Sequence, residues 1–585
     1  MERLRTLAHE SLRQSTIAPI ADSVLDGFTG PTVTELWQAI STKLDNNEAL
    51  QNLLVAEACL RKQACVAPSE LDKRAINSLY NWASELALPL PVFAESSEDS
   101  SSKAQEDSRQ QSTLAVSVIL SLNALLPLEQ SDDASNVVIA LGSFTSEPDA
   151  WNTHDAFTAS TALLRDFVEK AEPLSFWMTV ESILKNRVRP LFAKSKNPAI
   201  TESGRKNFHP VPLPRFDLSI LDPETKPWKN HDGYITTVFS WIVKQYKPGD
   251  SETLEAHFPL LVPPILALID DDSNSYKRLG CVLLSQFLIP IRACRSDILR
   301  RTNLSSVFED AVRPLFHSLP TITQEDDSIQ LLGEAYPAFR SLLQISYRLT
   351  PAVAKSQRQN TPAASAKRQK DEETFIAAMT RTLRDHLIPS FHHISSTNTT
   401  APGSHFASFP HSRLSTLLLN QIAVTCAELK IHTTKYLQDI IPLIYSTLSN
   451  PFGTAHPPLL LSSLSVTRAV LLNAYPRVWR WRGELLGAIC SCWLHILEDE
   501  EESKGPYEKK AADLEKLKKE LQGSVYLLRY VLEHPLLDDN DQGQLEAKEN
   551  ISKEMQILVD ADESLKACLF ADVDPGDPSY FGYDS

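Results

Sequence analysis

The chain has 585 residues, far more than a single hydrophobic core of ~250–300 residues holds, so it divides into domains or repeats. Its 17 glycines, about 3% against a usual ~7%, disfavour turn-rich all-β folds and glycine-rich phosphate loops, while its 37 prolines are plentiful. The net charge of −17 excludes a general nucleic-acid binder, which carries a basic face to displace counterions.

That charge is uneven. Residues 538–585 hold thirteen Asp/Glu against three Lys, −10 of the total −17, so the body before them has ordinary charge. In chain order, Thr32-x-x-Glu35 is a capping box leading into Val33, Trp37, Ile40 and Leu44 at helical spacing. Ser69-x-x-Asp72 opens a second helix carrying Leu71, Ile76, Tyr80 and Leu86. Residues 1–93 are therefore an N-terminal helical region. The Ser-rich stretch 94–113 reads as a disordered loop, 114–352 as central repeats, and the Lys/Arg-rich 353–373 as a second disordered loop. Residues 374–537 read as C-terminal repeats, closed by an amphipathic helix with Leu514, Leu517, Leu521, Leu528 and Val531 in one stripe. The remainder, 538–585, reads as an acidic, mostly disordered tail, and 395–412 as a further loop within the C-terminal repeats.

A weak internal repeat organises the middle. Five segments place a proline two residues into an apolar helical run: Val188-Arg189-Pro190-Leu191-Phe192, Val262-Pro263-Pro264-Ile265-Leu266, Val312-Arg313-Pro314-Leu315-Phe316, Leu387-Ile388-Pro389-Ser390-Phe391 and Ile440-Ile441-Pro442-Leu443-Ile444. A proline inside a helix removes one backbone bond and bends it, as in the bent first helix of HEAT repeats. The best single unit is 257–289, with two helices joined by Asp270-Asp271-Asp272. Asp270 and Asp271 are expected to cap the second helix, and Lys277 to bridge to such an aspartate in a ladder along the stack. The fold class is all-α: an irregular HEAT-like α-solenoid with disordered loops and an acidic C-terminal tail.

Other chemistry reads weakly. Asp270-Asp271-Asp272-Ser273-Asn274 also fits the magnesium-binding motif of helical prenyl-diphosphate enzymes, but Asn540-Asp541 is a poor second motif. His386, His392, His393, His405 and His411 straddle a polar loop and read as capping or solvated residues rather than metal ligands. The eight cysteines form no C-x-x-C pair, and Cys490-x-Cys492 reads as core packing in a reducing compartment. The apolar run Phe258–Ile269 is broken by three prolines and short of the ~20 residues of a membrane span. No cofactor, metal, nucleic acid or membrane is expected. Lys367-Arg368-Gln369-Lys370 fits a solvated linker better than a nuclear-import signal.

Three segments together resemble one family: Val188–Phe192 followed by Asn197-Pro198-Ala199-Ile200-Thr201 and Gly204-Arg205-Lys206; then Lys226-Pro227-Trp228-Lys229 with Trp241; then Pro263–Asp271 with Tyr276-Lys277-x-x-Gly280. Tyr475-Pro476-x-x-Trp479, Arg482 and Cys492-Trp493 extend the likeness, which covers roughly 185–495. The set is similar to the Tel-two-interacting protein two (Tti-two) family. The resemblance implies a non-enzymatic HEAT-like scaffold that joins the Tel-two protein and the first Tti protein in the TTT complex. It implies work with the ninety-kilodalton heat-shock chaperone and the R2TP adaptor in maturing phosphatidylinositol-3-kinase-like kinases, TOR and the DNA-damage checkpoint kinases among them, with telomere maintenance depending on it. Cytoplasmic and nuclear location is the matching expectation. Lys226-Pro227-Trp228-Lys229 reads first as a crossover whose Trp plugs the solenoid, with Lys for solubility, and second as a loop presented to a partner through Lys226, Trp228 and Lys229. The other candidate partner-binding residues are Trp479, Trp481, Arg482 and Trp493 in the C-terminal repeats, and Tyr580, Phe581 and Tyr583 as aromatic anchors in the tail. A uniform-repeat phosphatase scaffold and a transport receptor are the competing HEAT readings.

Overall fold

A computed structural model describes residues 2–12, 31–42, 48–61, 69–94, 102–131, 134–210, 223–348, 362–396, 409–502, 508–534 and 542–582. Among them no strand forms, and the one β-bridge joins Ile200 to Lys206. The fold class is all-α, as the sequence leads one to expect.

The chain divides into two compact units, residues 1–271 with 286–307, and residues 272–285 with 308–585. The first contains α1 (Glu2–Leu12), α2 (Val33–Ser41), α3 (Ala49–Arg61), α4 (Glu70–Ala87), α5 (Ser102–Leu125), α6 (Ala134–Gly142), α7 (His154–Lys170), α8 (Pro173–Ile183), α9 (Arg189–Phe192), α10 (Ile235–Gln245) and α11 (Ser251–Ile269). Its early helices pack alternately: α1 on α3, α3 on α5, α5 on α7; and α2 on α4, α4 on α6, α6 on α8. Each helix meets its second neighbour, so consecutive helices fall into two layers, the solenoid arrangement in which every pair buries its apolar faces against the next. Both capping boxes form, with Glu35 N–H donating to Thr32 Oγ1 at 3.3 Å and Asp72 N–H to Ser69 Oγ at 3.2 Å. α12 (Asn274–Cys294), α13 (Ile298–Arg301) and α14 (Leu304–Val312) follow.

The second unit continues with α15 (Glu325–Leu343), α16 (Pro362–Arg381), α17 (Ile388–Ser396), α18 (Ser412–Leu429), α19 (Leu437–Leu448), α20 (Pro457–Asn473), α21 (Tyr475–Val478), α22 (Arg482–Glu502), α23 (Glu508–Glu533), α24 (Gln542–Ala561) and α25 (Lys566–Leu569). Here α15 packs on α18, α18 on α20, α20 on α23, and α19 on α22.

The recurrent prolines are accommodated in three ways. Pro190 and Pro389 each follow a π-helical turn, Leu184–Val188 and Thr382–Leu387. There the residue before the proline donates to a carbonyl five residues back, Arg189 to Leu184 and Ile388 to Leu383. The widened turn makes room for the ring where an i−4 carbonyl would collide with it. Pro259, Pro263 and Pro264 lie inside α11, and Pro442 inside α19. Pro314 sits in a 3₁₀ turn, Arg313–His317, that closes α14. α11 is long and apolar enough to cross a membrane by length and composition alone, but Leu261, Val262, Ile265, Leu266 and Leu268 are core residues of the first unit. Ser412–Leu448 passes the same test, yet it is α18 and α19 separated by a 3₁₀ segment at Lys430–Tyr436.

Three disorder expectations are corrected. The stretch 94–113 is helical from Ser102, because its small residues pack: Ser108 and Ser112 are buried, and Gln111 Nε2 donates to the Leu86 carbonyl at 3.1 Å. The stretch 353–373 is helical from Pro362, where Glu372 pairs with Arg348 at 2.8 Å. In the tail, α24 buries Ala547, Ile551, Met555 and Val559 at four-residue spacing, one apolar stripe under an acidic surface. Leu565, Cys568, Leu569 and Val573 extend that core.

Candidate functional site

In the first unit the segments that carried the resemblance meet at one place. The Lys226–Asn230 loop is a tight turn, with Lys229 N–H donating to the Lys226 carbonyl at 3.0 Å and Asp232 N–H to the Pro227 carbonyl at 2.8 Å. Trp228 projects inward from it, with no exposed surface, and stacks on Phe192 at 5.1 Å and 9°. Its indole N–H donates to Ser195 Oγ at 3.0 Å, so the ring's polar edge is satisfied. Trp228 is therefore the core plug of the first reading, stacked on Phe192, and as a partner anchor it is corrected.

The two lysines of the loop close on the helical turn after α11. Lys226 Nζ lies 2.6 Å from Asp271 Oδ2 and Lys229 Nζ 3.0 Å from Asp271 Oδ1. The Asp271 side chain is fully buried, and the lysine side chains are 20% and 16% exposed. Asp270, on the surface, accepts from Asn197 Nδ2 at 2.6 Å. The ladder expectation is corrected accordingly. Asp271 reaches back to the Lys226–Lys229 loop, and Lys277 Nζ meets the Asp272 carbonyl at 3.3 Å. This arrangement also weighs against the prenyl-diphosphate reading, since the central carboxylate of the acidic run is buried between two ammonium groups.

A groove of about 380 Å³ lies beside this cluster. One wall is the π-turn and α9, with Lys185 and Arg189; the other is α11, with Pro259, Pro263 and Pro264. Lys196 and Glu202 come from the segment that follows α9. That segment is pinned by Gly204 at φ +66°, where a Cβ would stand 2.8 Å from Pro259 Cα. Only glycine takes that backbone geometry and that approach together.

In the second unit the C-terminal candidates turn inward, and their cover is the segment read as a tail. A Cβ on Gly543 would stand 2.3 Å from the Trp479 ring, so α24 lies directly on that indole. Arg482 forks onto Glu554 of α24 at 2.8 and 3.0 Å. Trp493 is buried, its indole N–H donating to the Ser564 carbonyl at 3.2 Å, with Lys518 Nζ 5.7 Å over the ring. Trp493 and Arg482 are thus corrected from partner contacts to internal ones, and Trp479 is half-covered. Trp481 stays partly exposed beside exposed Arg480. At the far end, Tyr580 packs its backbone on Gly523, and Phe581 meets Tyr526 edge-on at 6.3 Å. Gly582, at φ +67°, sits over the buried pair Arg468–Glu520, 2.7 Å apart. Tyr580 and Phe581 therefore anchor the chain to itself; Tyr583 lies outside the described residues.

The histidines do not converge. His386 is buried against Phe316 and His317, both at 5.2 Å, and burial first, then the neighbouring His317, pushes its pKa down to about 4. His411 pairs with Glu325 at 2.9 Å, His393 faces Thr321, His392 is exposed, and His405 lies outside the described residues. Among the described residues no group of three His, Cys, Asp or Glu is placed to hold a metal. Burial pushes the Cys490 and Cys492 thiols up to about 11 and about 12, as for packed, unreactive side chains. Gly543, Gly523 and Gly582 escaped the sequence reading, although glycines in a glycine-poor chain are a signal of close approach.

A Tti2 family model matches residues 137–455, more than half of the chain. The chain belongs to the Tti2 family. The match contains the Lys226–Asp271 cluster and the groove, and it ends before the Trp479–α24 contact. No curated protein and no solved structure matches the chain.

Proposed function

We propose that this Tti2-family chain is a non-enzymatic scaffold subunit of the TTT complex, holding the Tel-two protein and the first Tti protein. With the ninety-kilodalton heat-shock chaperone and R2TP, it serves the maturation and stability of phosphatidylinositol-3-kinase-like kinases, in cytoplasm and nucleus. The observation that carries this reading is the family match over residues 137–455. The layered helical architecture supports it, because stacked helix pairs present long surfaces suited to binding another helical protein. Affinity purification of the tagged full chain with mass spectrometry tests the proposal. Recovery of Tel-two, the first Tti protein and a TOR-like kinase is the expected result; recovery of a phosphatase catalytic subunit or of the small GTPase Ran in their place overturns it.

Within this reading, residues 373–535 are proposed to face the first Tti protein. Trp481 is one of the aromatics of that region left partly exposed, beside exposed Arg480. Trp481→Asp in the full chain is expected to lower capture of the first Tti protein at least tenfold, since desolvated Trp and Arg dominate such interfaces. Undiminished capture by the folded variant places the interface elsewhere.

A further inference from the structure

The groove between the π-turn and α11 has a chemistry that the scaffold role does not use. Its cations exceed its internal pairing. Lys185 is held by Glu181 at 2.6 Å, whereas Arg189 and Lys196 have no ion-pair partner among the described residues. The groove is therefore locally positive in a chain whose net charge is −17.

The opposite wall is rigid and rich in acceptors. Pro259 and Pro263 are four residues apart and share one helix face, joined there by Ala256 and Leu260. In α11 the carbonyls of Pro259 and Leu260 would bond the N–H groups of residues 263 and 264, but both are prolines and have none. Both residues line the groove, and a carbonyl that lacks its i+4 donor takes one from a neighbouring turn, from water or from a ligand. A peptide in extended conformation supplies backbone N–H donors, and its acidic side chains suit Arg189 and Lys196. An apolar residue between them has the Pro259–Pro263 face to rest on. Proline and alanine lose little side-chain entropy on contact, and the Gly204–Pro259 approach holds the walls in place before binding. The carboxylates of Glu181 and Glu202 disfavour a continuous polyanion such as nucleic acid.

We propose that this groove is a docking site for an acidic, extended peptide segment of a partner protein. The surface is independent of which assembly the chain joins, and capture of Tel-two and the first Tti protein by groove variants reads that question separately.

The test is selection of short random peptides on the immobilised full-length protein, followed by fluorescence-anisotropy titration of the enriched sequences. The expected result is enrichment of Asp and Glu around an apolar residue, with affinity that falls as salt rises. The double variant Arg189→Glu/Lys196→Glu is expected to weaken those peptides at least ~tenfold, as two reversed charges facing an acidic ligand require. Ala256→Trp fills the groove without touching a charge and is expected to weaken them similarly. Arg189 and Ala256 are exposed and Lys196 partly so, which keeps these changes off the core; Arg189→Gln/Lys196→Gln serves where charge reversal disturbs the melt. Enriched peptides without acidic bias overturn the proposal. So do selected peptides that bind the folded variants as tightly as the parent chain.

Discussion

The buried carboxylate of Asp271 makes a sharp prediction about non-additivity. Each Lys–Asp contact, near 3 Å, is worth roughly 5–6 kcal/mol in Coulomb energy at an effective dielectric near 20, before the desolvation of the buried carboxylate is subtracted. The net values are smaller and depend on which partner is left behind. Asp271→Ala releases two lysines whose side chains already touch solvent, so the expected loss is about 2–3 kcal/mol, below the ~3–5 of a fully buried break. Lys226→Ala/Lys229→Ala strips a fully buried carboxylate of both ammonium groups and is expected to cost about 3–5 kcal/mol. Adding Asp271→Ala to that pair removes the buried charge and is expected to recover about 1–3 kcal/mol. A chain of two units need not unfold in one transition, so local hydrogen exchange in a urea series is the suitable assay. The reporters are the amides of Lys229, Asn230 and Asp232, bonded across the Lys226–Asp232 turn. At about 1.4 kcal/mol per decade, the double lysine variant should exchange there roughly two to three and a half decades faster. A triple variant no better protected than the double, or an Asp271→Ala effect below ~0.5 kcal/mol, refutes the reasoning.

Three further outcomes follow from the geometry. Gly543→Leu drives a side chain into the Trp479 ring and is expected to undock α24, seen as a red-shifted tryptophan emission and new protease cleavage between α23 and α24; unchanged emission and cleavage argue against α24 as the cover. Gly204→Ala combines an unfavourable positive φ with overlap on Pro259 and is expected to cost about 1–3 kcal/mol, read as faster exchange in 197–207; parent-like exchange contradicts the close approach. His386, with its folded pKa near 4 against an unfolded value near 6.5, is proton-free in the folded chain while the unfolded chain protonates; its contribution is intact above pH ~6.5 and is lost as pH falls, by about 2 kcal/mol at pH ~5. His386→Phe is expected to flatten that acid-side slope in urea titrations, and an unaltered slope excludes His386 as its source.

The sequence revealed helices by pattern and missed those held by context. Thr32-x-x-Glu35 and Ser69-x-x-Asp72 declare their helix starts because capping is local chemistry. Residues 102–113 carry no apolar stripe, and their helix rests on buried Ser108 and Ser112 and on a Gln111 bond to a carbonyl 25 positions away. The acidic tail misled for a related reason. Net charge signals disorder only when apolar residues are too few to bury, and Ala547, Ile551, Met555 and Val559 form one stripe hidden among acids. Site residues failed in a different way. Trp228, Arg482 and Trp493 are anchor types, but residue type does not say whether an anchor holds a partner or the chain itself.

That distinction changes what a family-like motif means here. The Val188–Phe192, Asn197–Lys206, Lys226–Lys229 and Pro263–Asp271 segments are spread over residues 188–271, yet their members touch: Trp228 on Phe192, Lys226 and Lys229 on Asp271, Asn197 on Asp270; Gly204 adds a contact to Pro259, just ahead of the last segment. Four local oddities thus have one physical cause. A proline-bent helix cannot close its own hydrogen-bond ladder, and a π-turn helix is wide, so the space between α9 and α11 needs an aromatic plug, a charged latch and a glycine contact to stay packed. The same prolines deprive the carbonyls of Pro259 and Leu260 of their i+4 helical donors, across the groove from Arg189 and Lys196, which have no ion-pair partner among the described residues. Packing constraint and binding capacity therefore arise from the same prolines, and substitutions there should be judged on fold and on binding separately.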